Sequence, residues 1–182
     1  SVSVIIAAHN EEAHIEQKLK TLLTQAHQAA RMQIIVASDG SSDDTVSRAR
    51  ALEDPRIQVL DLPRGGKAAA INAAVALADG EVLVFTDADN QWNEHTLGRL
   101  LAPLAAPDVG CVGGQMIILD PGHSLSLGDS LYRHYEAWLR HAENRTGCMV
   151  SADGALLALR SELFQPVPGQ VNDDFFLSTC AP

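Results

Sequence analysis

Acidic residues fall in pairs where apolar runs stop. Asp87 and Asp89 flank Ala88 directly after Glu81–Thr86 (EVLVFT), and Asp173 and Asp174 stand together before Phe175-Phe176. Two carboxylates two positions apart can offer oxygen ligands to a hard divalent cation, Mg2+ or Mn2+, whose remaining positions take phosphate oxygens. A carboxylate within reach of a hydroxyl can instead take its proton as the oxygen attacks. Asp39 opens DGSSDD after the apolar run IIVAS, and Lys67 follows Gly65-Gly66. That glycine pair is not a P-loop, because position 61 is Asp and position 68 is Ala where a Gly and a Ser or Thr are required. No G-x-G-x-x-G follows the first apolar run, so a nicotinamide site loses its main support. Asp87-x-Asp89 also fits a strand-ending turn that caps a helix. It fits an aspartyl-phosphate phosphatase as well, although Gln91 stands where such a motif carries Thr or Val. The seven histidines show no HxxxH or HExxH spacing and read as surface or boundary residues.

The elements that must position these groups alternate. Val2–Ala8 (VSVIIAA) is too continuously apolar for a half-exposed strand and reads as one covered on both faces. Asn10 is the expected N-cap of the helix behind it, with Ile15, Leu19, Leu22, Leu23 and Ala26 at helical spacing. Strands are then expected over Ile34–Ala37, Ile57–Leu62 and Glu81–Thr86, and helices over Thr45–Leu52, Lys67–Ala78 and Glu94–Leu104. The order predicts an α/β chain, a Rossmann-like, mostly parallel central sheet flanked by helices, in one domain over 1–182. From Val109 the pattern changes. Val109–Val112 and Gln115–Leu119 read as strands, Leu125–Glu143 as a long helix carrying Tyr135, Glu136 and Arg140, and Ala155–Leu159 as a short strand. Ligands of such sheets bind beyond the carboxyl ends of the strands, where all the chemistry-bearing residues above lie.

Composition closes off other classes. With 182 residues and 46% apolar content, a core is affordable and disorder is excluded. Thirteen basic against 23 acidic residues leave a net charge of −10 with no basic stripe, which argues against a nucleic-acid partner. The apolar runs fall short of the ~18 residues of a membrane helix. Cys111, Cys148 and Cys180 are odd in number and far apart, favouring a reducing, cytoplasmic compartment over a disulfide framework. The chain opens at Ser1 inside a strand, which reads as an excised domain.

Read in order, VSVIIAAHNEE, VASDGSSDDT, GGKAAAINAAVALADGEVLVFTDADN, SADGALLALRSELF and VNDDFFLS resemble the family 2 glycosyltransferases, inverting enzymes of the GT-A fold. The resemblance spans nearly the whole chain. It implies a nucleotide-sugar donor, usually a UDP-sugar, a divalent metal (Mn2+ or Mg2+), and a glycan or lipid-linked acceptor, in polysaccharide or cell-envelope glycan synthesis. It also implies a donor-binding half over 1–105 and an acceptor-side half over 106–182. By position, Ala8, His9, Asn10 and Glu12 would line the nucleoside pocket, and Asp39 would accept a hydrogen bond from the base. Lys67 and Asn72 would lie beside the diphosphate, Asp87 would meet the ribose or the metal, and Asp89 would ligate the metal. Asp173-Asp174 matches the family's Glu-Asp pair, whose second member is the general base, with Asp at 173 for the usual Glu. Related polysaccharide synthases continue with a Gln-x-x-Arg-Trp motif and membrane helices. This chain stops eight residues after Asp174, so any membrane tie would come through segments outside it, as in the cytosolic domain of an inner-membrane protein. A domain that binds donor without turnover is the alternative.

Overall fold

The computed structural model describes residues 1–25, 32–114, 156–169, 171 and 173–180, with Asp174 described by its backbone alone. Strands β1 (Val2–Ala8), β2 (Met32–Asp39), β3 (Ile57–Leu62) and β4 (Val82–Thr86) alternate with helices α1 (Ile15–Leu23), α2 (Thr45–Arg50), α3 (Lys67–Val75) and α4 (Thr96–Leu101). A 3-10 turn, Ala102–Ala105, then leads to β5 (Cys111–Gly113), followed by β6 (Leu156–Arg160), a second 3-10 turn at Ser161–Leu163, and α5 (Asp173–Ser178). The expected strand Gln115–Leu119 and helix Leu125–Glu143 lie outside the described residues.

The six strands run in the order β3-β2-β1-β4-β6-β5. β3, β2, β1 and β4 are parallel, while β6 is antiparallel to both β4 and β5. β1 is the pivot. The chain winds outward from it through β2 to β3, then returns to place β4 on its other side, which opens a crevice at the carboxyl ends of β1 and β4.

Both faces of β1 are covered, which explains its unbroken apolar run. Val4, Ile6 and Ala8 pack with Ile15, Leu19 and Leu22 of α1 and with Leu97 and Leu100 of α4. Ile5 points the other way, toward Ala70, Ile71 and Ala74 of α3 and Leu177 of α5. Each such fully buried Ile or Leu contributes roughly 1.5–3 kcal/mol of transfer free energy. Ser3, inside this run, is buried because its hydroxyl donates to Gln33 Oε1 at 2.7 Å and accepts from the Gly80 amide at 2.9 Å.

Several boundaries differ from expectation. α1 begins at Ile15, with His14 at the N-cap position and no side-chain capping bond, so Asn10 does not start the helix. α4 runs only from Thr96 to Leu101, because the segment before it is tied into turns: Asn93 Oδ1 accepts from the His95 amide and Thr96 Oγ1 from the Asn93 amide. Among the described residues no helix is long and apolar enough to cross a membrane.

Candidate active site

The crevice beyond β1 and β4 holds a cleft of about 270 Å3. Ala7, Ala8 and His9 form its β1 wall, Asp39 and Arg64 its β2–β3 wall, and Asp87, Ala88 and Asp89 its β4 wall, with Lys67 entering from α3 and Glu11 at the rim. Ala8, His9, Asp39, Lys67, Asp87 and Asp89, drawn from four separate stretches of the chain, thus line one cleft. Arg64 and Glu11 are added.

The β2 wall is built around a buried carboxylate. Asp39 is 4% exposed, and its Oδ1 accepts from the amides of Gly65 at 2.6 Å and Gly66 at 3.0 Å. Its Oδ2 pairs with Arg64 Nη1 at 3.0 Å. A carboxylate so deep needs such partners in place of water. Asp39 therefore anchors the loop that leads into α3 while still lining the cleft. Gly40 allows the approach: its φ is +61°, and a Cβ there would lie 2.8 Å from the Arg64 nitrogen. His9 joins the same wall, its Nδ1 donating to the Asp39 carbonyl at 2.8 Å.

Asn10 and Glu12 do not line the cleft. Asn10, at φ +56°, accepts the Ser42 amide on Oδ1 at 2.8 Å and donates its own amide to Ser41 Oγ at 3.1 Å. Glu12 Oε2 accepts the Asp44 amide at 3.1 Å, and its amide donates to Asp43 Oδ2 at 3.1 Å. Both residues lace the β1–α1 loop to the β2–α2 loop. Asn72 is likewise turned away: its Oδ1 accepts the Val167 amide at 2.8 Å and its Nδ2 donates to the Val167 carbonyl at 2.9 Å. It holds the segment that leads to α5.

Lys67 is the junction. Its Nζ lies 3.1 Å from Asp87 Oδ1 and 3.0 Å from Asp173 Oδ2. The lysine and Asp87 are both about two-fifths exposed, and Asp173 is more covered at 17%. One cation thereby ties the end of β4 to the first residue of α5. Asp174 follows as the second residue of that helix; its side chain lies outside the described residues.

Asp87 and Asp89 suit a hard cation. Buried Ala88 pins the turn between them into the core, leaving Asp87 part-exposed and Asp89 exposed. Among the described residues no three His, Cys, Asp or Glu side chains gather to enclose an ion. Such a donor set fits Mg2+ or Mn2+, which are held by one or two carboxylates and complete their shell with phosphate oxygens and water.

The model of the family described as "Glycosyl transferase family 2" matches residues 3–156. The probable glycosyltransferase YdaM of Bacillus subtilis is 33% identical over 131 residues, covering 68% of this chain and 31% of that protein. Escherichia coli WfgD, named as a UDP-Glc:alpha-D-GlcNAc-diphosphoundecaprenol beta-1,3-glucosyltransferase, is 28% identical over 120 residues, covering 65% of this chain and 47% of that protein. Among solved structures, the mannosyltransferase PcManGT of Pyrobaculum calidifontis, in complex with GDP-Man and Mn2+, superposes with a TM-score of 0.83 at 30% identity. That match covers 98% of this chain and 50% of that one, so the chain spans about a third to a half of the length of these relatives. From its motifs to its sheet order, the chain belongs to glycosyl transferase family 2 and carries the GT-A fold.

Proposed function

We propose that this chain is the catalytic domain of an inverting glycosyltransferase that moves a sugar from a nucleoside-diphosphate donor, a UDP-sugar, to a hydroxyl of a glycan or lipid-linked acceptor at the cytoplasmic face of the membrane. The observation that carries this reading is the convergence of Lys67, Asp87, Asp89 and Asp173 at the carboxyl ends of β1 and β4. Family membership sets aside the phosphatase reading of Asp87.

In this reading Asp89 and Asp87 would hold a divalent cation, which would supply positive charge to offset the negative charge developing on the diphosphate leaving group. Lys67 adds a second positive group beside the same phosphates and has two carboxylates to keep it in place until the donor arrives. The acceptor oxygen forms its bond to the anomeric carbon from the face opposite the departing phosphate oxygen, so configuration inverts. Its proton passes to Asp174, and the electron pair of the broken bond leaves on the diphosphate. Asp173 steadies α5 through Lys67 while its neighbour acts.

The test is a screen of UDP- and GDP-sugars for release of nucleoside diphosphate, with the product anomer read by NMR. UDP-sugar consumption with inversion supports the reading, and a retained configuration overturns it. Asp174→Asn should keep donor affinity and lower transfer by about 10² to 10⁴-fold, the usual worth of a positioned base. Loss in Asp173→Asn with transfer retained in Asp174→Asn would move the base to Asp173. A guanosine donor is the second reading, favoured by the likeness to PcManGT with its GDP-Man; the same screen separates the two.

A further inference from the structure

The buried face of α1 consists of Ile15, Lys18, Leu19 and Leu22, and Lys18 is as covered as its apolar neighbours, at 3% exposed. Its ammonium donates to Thr86 Oγ1 at 2.8 Å, to the Asn90 carbonyl at 3.0 Å and to Asn90 Oδ1. Three donors meet three acceptors. The Thr86 hydroxyl closes the ring by donating to Asn90 Oδ1 at 3.0 Å, and the Trp92 ring centroid lies 4.7 Å from the ammonium. Every partner belongs to residues 86–92, the segment that carries Asp87 and Asp89. Just past the end of α1, Gln25 holds the next stretch: its Nε2 donates to the Asn93 carbonyl and its Oε1 accepts the Leu97 amide, both at 3.0 Å.

Packing alone does not call for this lysine. Burial pulls its pKa down to about 7, against the opposing pull of Asp87 and Asp89, a desolvation cost that an aliphatic side chain of the same length would avoid. The grip on Asn90 gives the cost a purpose, because Thr86 and Asn90 bracket both carboxylates.

We propose that Lys18 is a positioning residue of the donor site: through Thr86 and Asn90 it fixes the 87–90 turn in the arrangement in which Asp87 and Asp89 receive a divalent cation together with the donor diphosphate. This rests on the metal-assisted reading above. Lys18→Met keeps the length of the side chain and removes its donors. Mn2+ affinity at saturating UDP, measured by calorimetry, is compared with the melting temperature. Lys18→Met should melt no lower than the unaltered chain and bind Mn2+ at least tenfold more weakly. Unchanged Mn2+ affinity in a folded Lys18→Met overturns the proposal. Asn90→Ala releases the same grip from the other side and decides the matter if Lys18→Met melts lower or does not fold. It should weaken Mn2+ comparably, with the double variant no weaker than the weaker single. Unchanged affinity in Asn90→Ala overturns the proposal too. UDP binding that ignores Mn2+ in the unaltered chain contradicts the metal-assisted reading itself, whereas metal-dependent binding left intact by both variants contradicts only the role of Lys18.

Discussion

Lys67 Nζ stands 3.1 Å from Asp87 and 3.0 Å from Asp173, so a single side chain of α3 links the acidic turn after β4 to the helix that carries Asp174. The pair is part-exposed, and exposed ion pairs add little to stability. Its consequence lies in binding. Lys67→Ala should leave the melting temperature almost unchanged and weaken UDP by about 10- to 100-fold, the worth of a charge-assisted contact to phosphate. A UDP titration checks this.

Asn72 makes the opposite prediction. Its side chain closes a two-bond ring with the Val167 backbone, far along the chain, and reaches no wall of the cleft. Asn72→Ala should cost about 1–3 kcal/mol in unfolding free energy, at roughly 0.5–1.5 kcal/mol per bond. UDP affinity should stay within about twofold. Denaturant unfolding and a UDP titration on the same sample separate this from a direct contact with the diphosphate.

Before β3, Arg56 forks onto Asp54, with Nε at 2.9 Å from Oδ1 and Nη2 at 2.8 Å from Oδ2. Those bonds and the Arg56 amide hold the Asp54 carboxyl down at about 2. A carboxyl depressed in the folded state stabilises above its unfolded pKa of about 4, and that contribution disappears as pH falls toward 2. The pair is partly open to solvent, at 37% for Arg56 and 20% for Asp54, which limits the effect to about 1 kcal/mol. Asp54→Asn should melt slightly lower than the unaltered chain at neutral pH, and the two melting curves should converge as pH falls to about 2.

The donor half of the fold was legible because β1 and β4 are covered on both faces, so their strands are unbroken apolar runs ending at polar residues. The topological switch then places Asp39, Lys67, Asp87 and Asp89 in one crevice. What the sequence concealed were partnerships over long separations. Asn72 and Asn10 look like ligand-facing amides until Val167 and Ser42 are found opposite them. Nothing in the local sequence marks Arg64, because its partner, Asp39, lies at the far-separated end of β2. Lys18 did leave a signal: three residues after Ile15 and four before Leu22, it occupies a core position of α1 where only a buried partner could keep an ammonium. The antiparallel placement of β6 between β4 and β5 is set by non-local pairing, which no local pattern records.

In the proposed mechanism Asp87 and Asp89 recruit a nucleoside diphosphate through a divalent cation. Calorimetric titration of UDP into the chain, with Mn2+ and then with excess chelator, tests it most directly when repeated on Asp89→Asn. UDP binding should weaken at least about tenfold under chelator and to a similar degree in Asp89→Asn with Mn2+ present, the loss of a charged contact in the site. Equal affinity with and without the metal, or no uridine nucleotide binding at all, would contradict it.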